Sequence, residues 1–115
     1  MFLTYALVVF AIGAVGGLIL ASHVKTGRFA PWALSIGHGL LGATGLGLLI
    51  AVVLQGAAPA RVTAALGLLV VAALGGFFLA SFHYRKQIPP KAFVLAHAGV
   101  AIAGFLTLLS VVLAI

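Results

Sequence analysis

Four long apolar stretches, separated by short connections, constrain this chain more than any other feature. They run from about Phe2 to His23, Pro31 to Leu54, Arg61 to His83 and Pro90 to Ile115. Each is near the roughly 20 residues that a helix needs to cross about 30 Å of hydrocarbon. Because lipid offers no partner to unpaired backbone groups, stretches of this length are predicted to be helices. We therefore expect an all-α integral membrane four-helix bundle that forms one domain over residues 1–115.

The composition removes several classes of function. The chain is 65% hydrophobic and contains six Lys and Arg but no Asp, Glu or Cys. Without cysteine it cannot form disulfides, iron–sulfur clusters or a covalently attached c-type haem. Without carboxylates it cannot build a Ser-His-Asp triad or a carboxylate acid–base pair. The net charge of +6 lies in the short connections, so anionic lipid headgroups rather than nucleic acid are the expected counter-ions.

The basic residues are concentrated at one end of the expected bundle. Only Arg61 lies at the other end, and the remaining five lie in or beside the first and third connections: Lys25, Arg28, Arg85, Lys86 and Lys91. By the positive-inside rule these two connections face the cytoplasm, which puts both termini on the periplasmic side. The expected location is therefore the inner membrane of a bacterium, as a multi-pass protein.

The second half of the chain repeats the first. The segment GGLILAS at 16–22 aligns with GGFFLAS at 75–81, and the same offset aligns Pro31 with Pro90. Each repeat contains two helices, over about residues 1–56 and 60–115. Because two is an even number of crossings, the halves have the same orientation, and a pseudo-twofold axis along the membrane normal is expected to relate them.

Two of the four histidines align in this repeat and lie well inside the expected helices. His38 and His97 each follow a helix-starting proline by seven residues, which is roughly 10 Å along a helix. Ionisable side chains inside membrane helices usually face the bundle interior, and these two helices are expected to lie diagonally. The pair is therefore the first candidate for ligands to a cofactor iron. His23 and His83 are further candidates, although they lie at helix ends and are out of register with the repeat by one position.

Small residues lie on the same helix faces as this histidine pair. Gly42 and Gly45 follow His38 by four and seven residues, and Gly104 follows His97 by seven, spacings that share one helix face. Such glycines can form a bare floor for a planar macrocycle. They can equally allow two membrane helices to approach closely, and the spacing does not choose between these interpretations.

The doubled GGxxLAS…H…P…H pattern resembles that of small uncharacterised bacterial four-helix membrane proteins. More distantly, histidines on diagonal helices beside glycine resemble the b-type cytochrome bundles. This resemblance implies a b-type haem ligated by His38 and His97 in the cytoplasmic half, with electron transfer within the membrane. Cytochrome b helices typically carry two histidines, whereas each helix here carries one within the span, so one haem is expected. A second haem on His23 and His83 stays open.

A haem would also supply the negative charge that the chain lacks. Its propionates would point to the basic connections, where Arg28, Arg85 and Lys86 can pair with them. A quinone or a redox protein is the expected electron-transfer partner. Exposed GxxxG faces would permit a homodimer.

Three other functions remain open. The protein could be a structural or assembly subunit in which the histidines are incidental. It could be a small transporter, although the absence of a buried carboxylate and the parallel repeat disfavour this. A zinc or copper site is disfavoured because the two histidine layers differ in depth by roughly 10 Å, too far to share one ion with bonds of about 2 Å.

Overall fold

Four helices account for nearly the whole chain in the computed structural model, which describes all 115 residues. They are α1 (Phe2–Lys25), α2 (Trp32–Leu54), α3 (Ala60–Tyr84) and α4 (Lys91–Val112). Each is long and apolar enough to cross a membrane, and there is no strand. The expected all-α membrane four-helix bundle is therefore confirmed.

Proline and left-handed residues set the boundaries of the helices. Pro31, Pro59 and Pro90 are the N-caps of α2, α3 and α4, with φ near −59° and extended ψ. The sequence predicts Pro31 and Pro90 inside the helical stretches, whereas each helix begins at the residue after the proline. At the end of α1, Gly27 has a φ of 68°, and its repeat counterpart after α3, Lys86, has a φ of 57°. The two connections at the basic end therefore share one turn conformation.

The helices pack as two hairpins, which supports the expected division into repeats. Helix α1 packs most extensively against α2, and α3 against α4, while the α1–α4 and α2–α3 interfaces are smaller. No close backbone approach joins α1 to α3 or α2 to α4. Helices α2 and α4 are therefore diagonal in the bundle, as expected.

The tight packing is confined to one half of the bundle. All ten buried residues lie in the half that contains Arg61: Ala6, Gly13, Gly45, Leu49, Val62, Ala65, Leu69, Ala72, Gly104 and Leu108. No residue of the four helices beyond this layer, toward the basic connections, is buried. We call the first region the packed half and the second the basic half. The hairpins are held together chiefly by apolar contacts in the packed half.

Two glycines at the edge of the packed half allow the close approach of helices within each hairpin. A Cβ added at Gly45 would lie 2.6 Å from the ring of Phe10, and one added at Gly104 would lie 2.8 Å from Cγ of Leu69. Phe10 and Leu69 occupy equivalent positions in the two repeats, as the two glycines do. The same small-residue contact therefore occurs once in each repeat, as expected for helix packing in membranes.

The contact between Gly104 and Leu69 predicts that alanine at Gly104 lowers the stability of the protein, whereas alanine at Gly42 does not. We expect Gly104→Ala to lower the free energy of unfolding by about 1–2 kcal/mol, because the methyl group overpacks the contact with Leu69. Gly42→Ala is the matched control, since nothing lies within 4 Å of its added Cβ, and it should be neutral or stabilising by up to about 1 kcal/mol. Denaturant unfolding in detergent, followed by circular dichroism, measures both. Equal effects would contradict the packing role of Gly104.

Candidate functional site

His38 and His97 meet between the two hairpins in the basic half. Their ring centroids are 6.3 Å apart, and the ring planes are inclined by 82°. One ring comes from α2 and the other from α4, the diagonal helices. The structure therefore brings together the two histidines that the repeat singles out.

Each imidazole is fixed by a hydrogen bond to the neighbouring helix of its own hairpin. Nδ1 of His38 lies 2.7 Å from the carbonyl oxygen of Gly13, and Nδ1 of His97 lies 2.7 Å from that of Ala72. Because a carbonyl oxygen can only accept, Nδ1 must carry the hydrogen and donate it. In the neutral ring the lone pair is then on Nε2, for which the chain provides no hydrogen-bond partner. Both rings therefore present a free nitrogen ligand.

The paired glycines of the repeated GGxxLAS motif make room for these rings. A Cβ at Gly17 would lie 2.9 Å from Cε1 of His38, and a Cβ at Gly76 would lie 3.3 Å from Cε1 of His97. Helical spacing relates Gly76 to His83 and does not predict that Gly17 and Gly76 lie beside His38 and His97. The signal was present, because the GG pair and the histidine recur together in the second repeat.

The glycines expected to form a floor beside the histidines have different surroundings. Gly45 and Gly104 contact Phe10 and Leu69, as described above, so side chains already occupy the space in front of them. Gly42 has open space in front of it. The structure therefore separates these three residues into two packing contacts and one open position.

His23 and His83 have separate environments and do not form a second pair. Nδ1 of His23 lies 2.9 Å from the carbonyl oxygen of Ile19 in its own helix. The ring of His83 stacks on Trp32 with centroids 3.9 Å apart, and its Nδ1 lies 3.0 Å from Oγ of Ser35. No group of three or more metal-binding side chains forms anywhere in the chain.

The cations at the basic end have no carboxylate partner, since the chain contains none. Nε of Arg28 donates to Oγ1 of Thr26 over 2.9 Å. Arg85 folds back along α3, where Nε donates to the carbonyl oxygen of Ser81 and the guanidinium lies 4.7 Å from the ring centroid of Phe82. Lys86 is exposed at the left-handed turn. All three retain charge that no group of this protein neutralises.

The two main cavities lie at opposite ends of the molecule. The larger, of about 410 Å³, is between the start of α1 and the α2–α3 connection and contains no histidine. The smaller, of about 160 Å³, is a cleft between α3 and α4 that reaches His97, and we call it the α3–α4 cleft. Pockets that enclose a small molecule commonly have volumes of about 300–1,000 Å³. The cavity that reaches His97 is thus smaller than a haem pocket.

The two imidazole–carbonyl bonds predict matched losses of stability. We expect His38→Ala and His97→Ala each to lower the free energy of unfolding by about 1 kcal/mol, the size of an interhelical hydrogen bond in a membrane. His23→Phe is the control, because its bond stays within one helix and the repeat carries Phe82 at the equivalent position. Thermal unfolding in detergent measures all three. A loss in only one of the two alanine variants would contradict the equivalence of the two bonds.

No protein-family model, curated protein or solved structure matches this chain significantly. The case for a function therefore rests on the geometry of the His38–His97 pair.

Proposed function

We propose that this protein is a membrane b-type haem protein in which His38 and His97 ligate one haem iron and electrons pass within the membrane. The observation that carries the proposal is the symmetric pair of imidazoles, each with Nδ1 bonded to a carbonyl and Nε2 free. A bound haem b would supply a one-electron iron couple. The proposed location is the bacterial inner membrane, with the basic end in the cytoplasm and both termini in the periplasm.

The donor set suits haem iron. Metal-ligating histidines commonly donate their other ring N–H to a carbonyl, which fixes the tautomer and orients the ring. His38 and His97 already make this bond, to Gly13 and Ala72. Their ring centroids are 6.3 Å apart, so both imidazoles lie beside one site between the hairpins and are the residues that would hold the iron.

Room for a macrocycle requires the hairpins to separate in the basic half. That movement leaves the buried contacts intact, because all of them lie in the packed half. It also leaves both imidazole–carbonyl bonds intact, because each is internal to one hairpin. The one side-chain hydrogen bond that joins the hairpins, between Ser35 and His83, would have to break or shift. The hairpins would thus move as units about the packed half.

The charges of the basic end favour a dianionic ligand. Arg28, Arg85 and Lys86 have no carboxylate partner within the chain, and propionates are anions that such cations bind well. The proposed electron-transfer partner is a quinone or a redox protein. A homodimer stays a prediction, and the GxxxG face from Gly13 to Gly17 is turned toward α2, against Leu41 and His38.

The test is the absorption spectrum of the purified protein after incubation with haem, first oxidised and then reduced with dithionite. We expect a sharp Soret band with split α and β bands on reduction, as two imidazole ligands give low-spin iron. His38→Ala and His97→Ala should each abolish this spectrum. A protein that stays colourless with added haem would overturn the proposal.

Two matched control variants distinguish the loss of a haem ligand from a general loss of folded structure. His23→Phe and His83→Val introduce the residues found at the repeat-equivalent positions, Phe82 and Val24, and should keep the low-spin spectrum. His38→Asn keeps a side-chain N–H that can donate to Gly13 while removing the imidazole nitrogen. We expect it to fold but to lose low-spin haem. Retention of the spectrum in this variant would exclude His38 as a ligand.

The same hydrogen bonds favour one second candidate, a structural or assembly subunit. In that role the imidazoles would serve only to join the helices of each hairpin, and their free Nε2 atoms would have no ligand. His38→Asn separates the two functions, because a purely structural role would leave the wild-type protein and this variant equally colourless and equally stable.

A further inference from the structure

The second hairpin combines exposed cations with an apolar cleft directly below them along α3 and α4. Starting at the basic end, the guanidinium of Arg85 lies over Phe82, and the ring of Phe82 contacts Phe78 with centroids 5.2 Å apart. Phe78 in turn contacts Phe93 across the hairpin at 5.1 Å. Phe78 and Phe93 line the α3–α4 cleft together with Val71, Gly75, Ala96 and Val100. Charge and cleft therefore form one continuous amphipathic surface.

We propose that this surface is a binding site for one anionic phospholipid. The phosphodiester would lie at Arg85 and Lys86, and an acyl chain would occupy the α3–α4 cleft. The occupant is a lipid of the leaflet at the basic end, because the cations lie at the depth of the headgroups and the cleft lies at the depth of the hydrocarbon.

Arg85 is held in position for such a headgroup. Nε and Nη2 donate to the carbonyl oxygen and to Oγ of Ser81, at 3.2 and 3.4 Å. The remaining N–H groups of the guanidinium have no partner in the chain. A guanidinium fixed in this way loses less side-chain entropy when it binds a phosphate.

Lys86 occupies a left-handed backbone position where glycine would be less strained. Its φ of 57° is left-handed, and the equivalent residue of the first repeat is Gly27, with a φ of 68°. A non-glycine residue incurs a conformational cost in this region. The second hairpin therefore carries a charged side chain at the turn position where the first hairpin has none.

The first hairpin lacks this combination, which makes the proposal specific. Its residues equivalent to Phe78, Phe93 and Arg85 are Ile19, Leu34 and Thr26. The α1–α2 connection still carries two cations, Lys25 and Arg28. If the lipid were attracted only by the overall charge of the basic end, removing two cations from either hairpin would weaken its binding equally.

The test is native mass spectrometry of the full chain in detergent, titrated separately with phosphatidylglycerol and phosphatidylcholine. The double variant Arg85→Gln/Lys86→Gly should reduce the preference for phosphatidylglycerol about tenfold, since each cation near a lipid surface contributes substantially to anionic-lipid affinity. The control Lys25→Gln/Arg28→Gln removes the same charge from the same end and should change the preference less than about twofold. Equal losses in the two double variants would overturn the proposal.

A second pair of variants tests the cleft. Ala96→Phe fills the α3–α4 cleft and should weaken both lipids several-fold, whereas Ala43→Phe, on an exposed position of α2, should weaken neither. Unchanged lipid binding in Ala96→Phe would overturn the acyl-chain assignment. Displacement of phosphatidylglycerol by inorganic phosphate would show that the turn binds a free anion instead. Because Arg85 and Lys86 are also the proposed propionate partners and the cleft reaches His97, the titration is run on haem-free protein, in which these residues are open to lipid.

Discussion

The absence of any carboxylate governs how the polar groups of this protein are satisfied. In a membrane, a buried polar side chain needs a partner from the protein itself. Here no acid is available to pair with an imidazole or a guanidinium. His38 and His97 therefore bond to helix carbonyls, Arg61 bonds to Oγ of Ser110 at 2.8 Å, and Arg85 bonds to Ser81. Each of these hydrogen bonds uses an N–H donor of the side chain. The positive charge of the arginines and the second ring nitrogen of the histidines stay available to other partners.

That constraint also explains the division of the bundle into two halves. The packed half is held together chiefly by apolar and glycine contacts, so its helices approach closely and bury Leu49, Val62 and Leu108 completely. The basic half contains the four histidines and most of the cations, which prefer partners outside the hydrocarbon core of the bundle. The two hairpins are thus joined firmly at one end and loosely at the other. A ligand between the hairpins at the looser end would leave the apolar cluster of the packed half in place. The stack of His83 on Trp32, which joins the hairpins there, would have to move.

The number of helices, their approximate limits and the pairing of His38 with His97 could be predicted from the sequence, because length, hydropathy and the internal repeat encode them directly. The side chains that pack against each helix face could not be predicted in this way. Helical spacing shows that Gly45 lies on the same face as His38, but it does not show that Phe10 already fills that space. For the same reason the role of Gly17 and Gly76 beside the imidazoles was missed. The stack of His83 on Trp32 was also beyond prediction, since neither residue is matched in the other repeat.

The positions at which the repeats differ are as informative as those at which they agree. The imidazole–carbonyl bonds and the glycines beside them obey the pseudo-twofold relation, and they lie at the centre. The residues that depart from this relation lie at the periphery of the basic half. They are the stacked pair of His83 and Trp32 between α2 and α3, and Phe78 and Arg85, which both contact Phe82 on the second hairpin. A symmetric central pair suits a ligand that both hairpins hold in the same way. An asymmetric periphery gives the two hairpins different contacts with lipid and with any partner, so that a ligand at the centre is approached from sides that are chemically distinct.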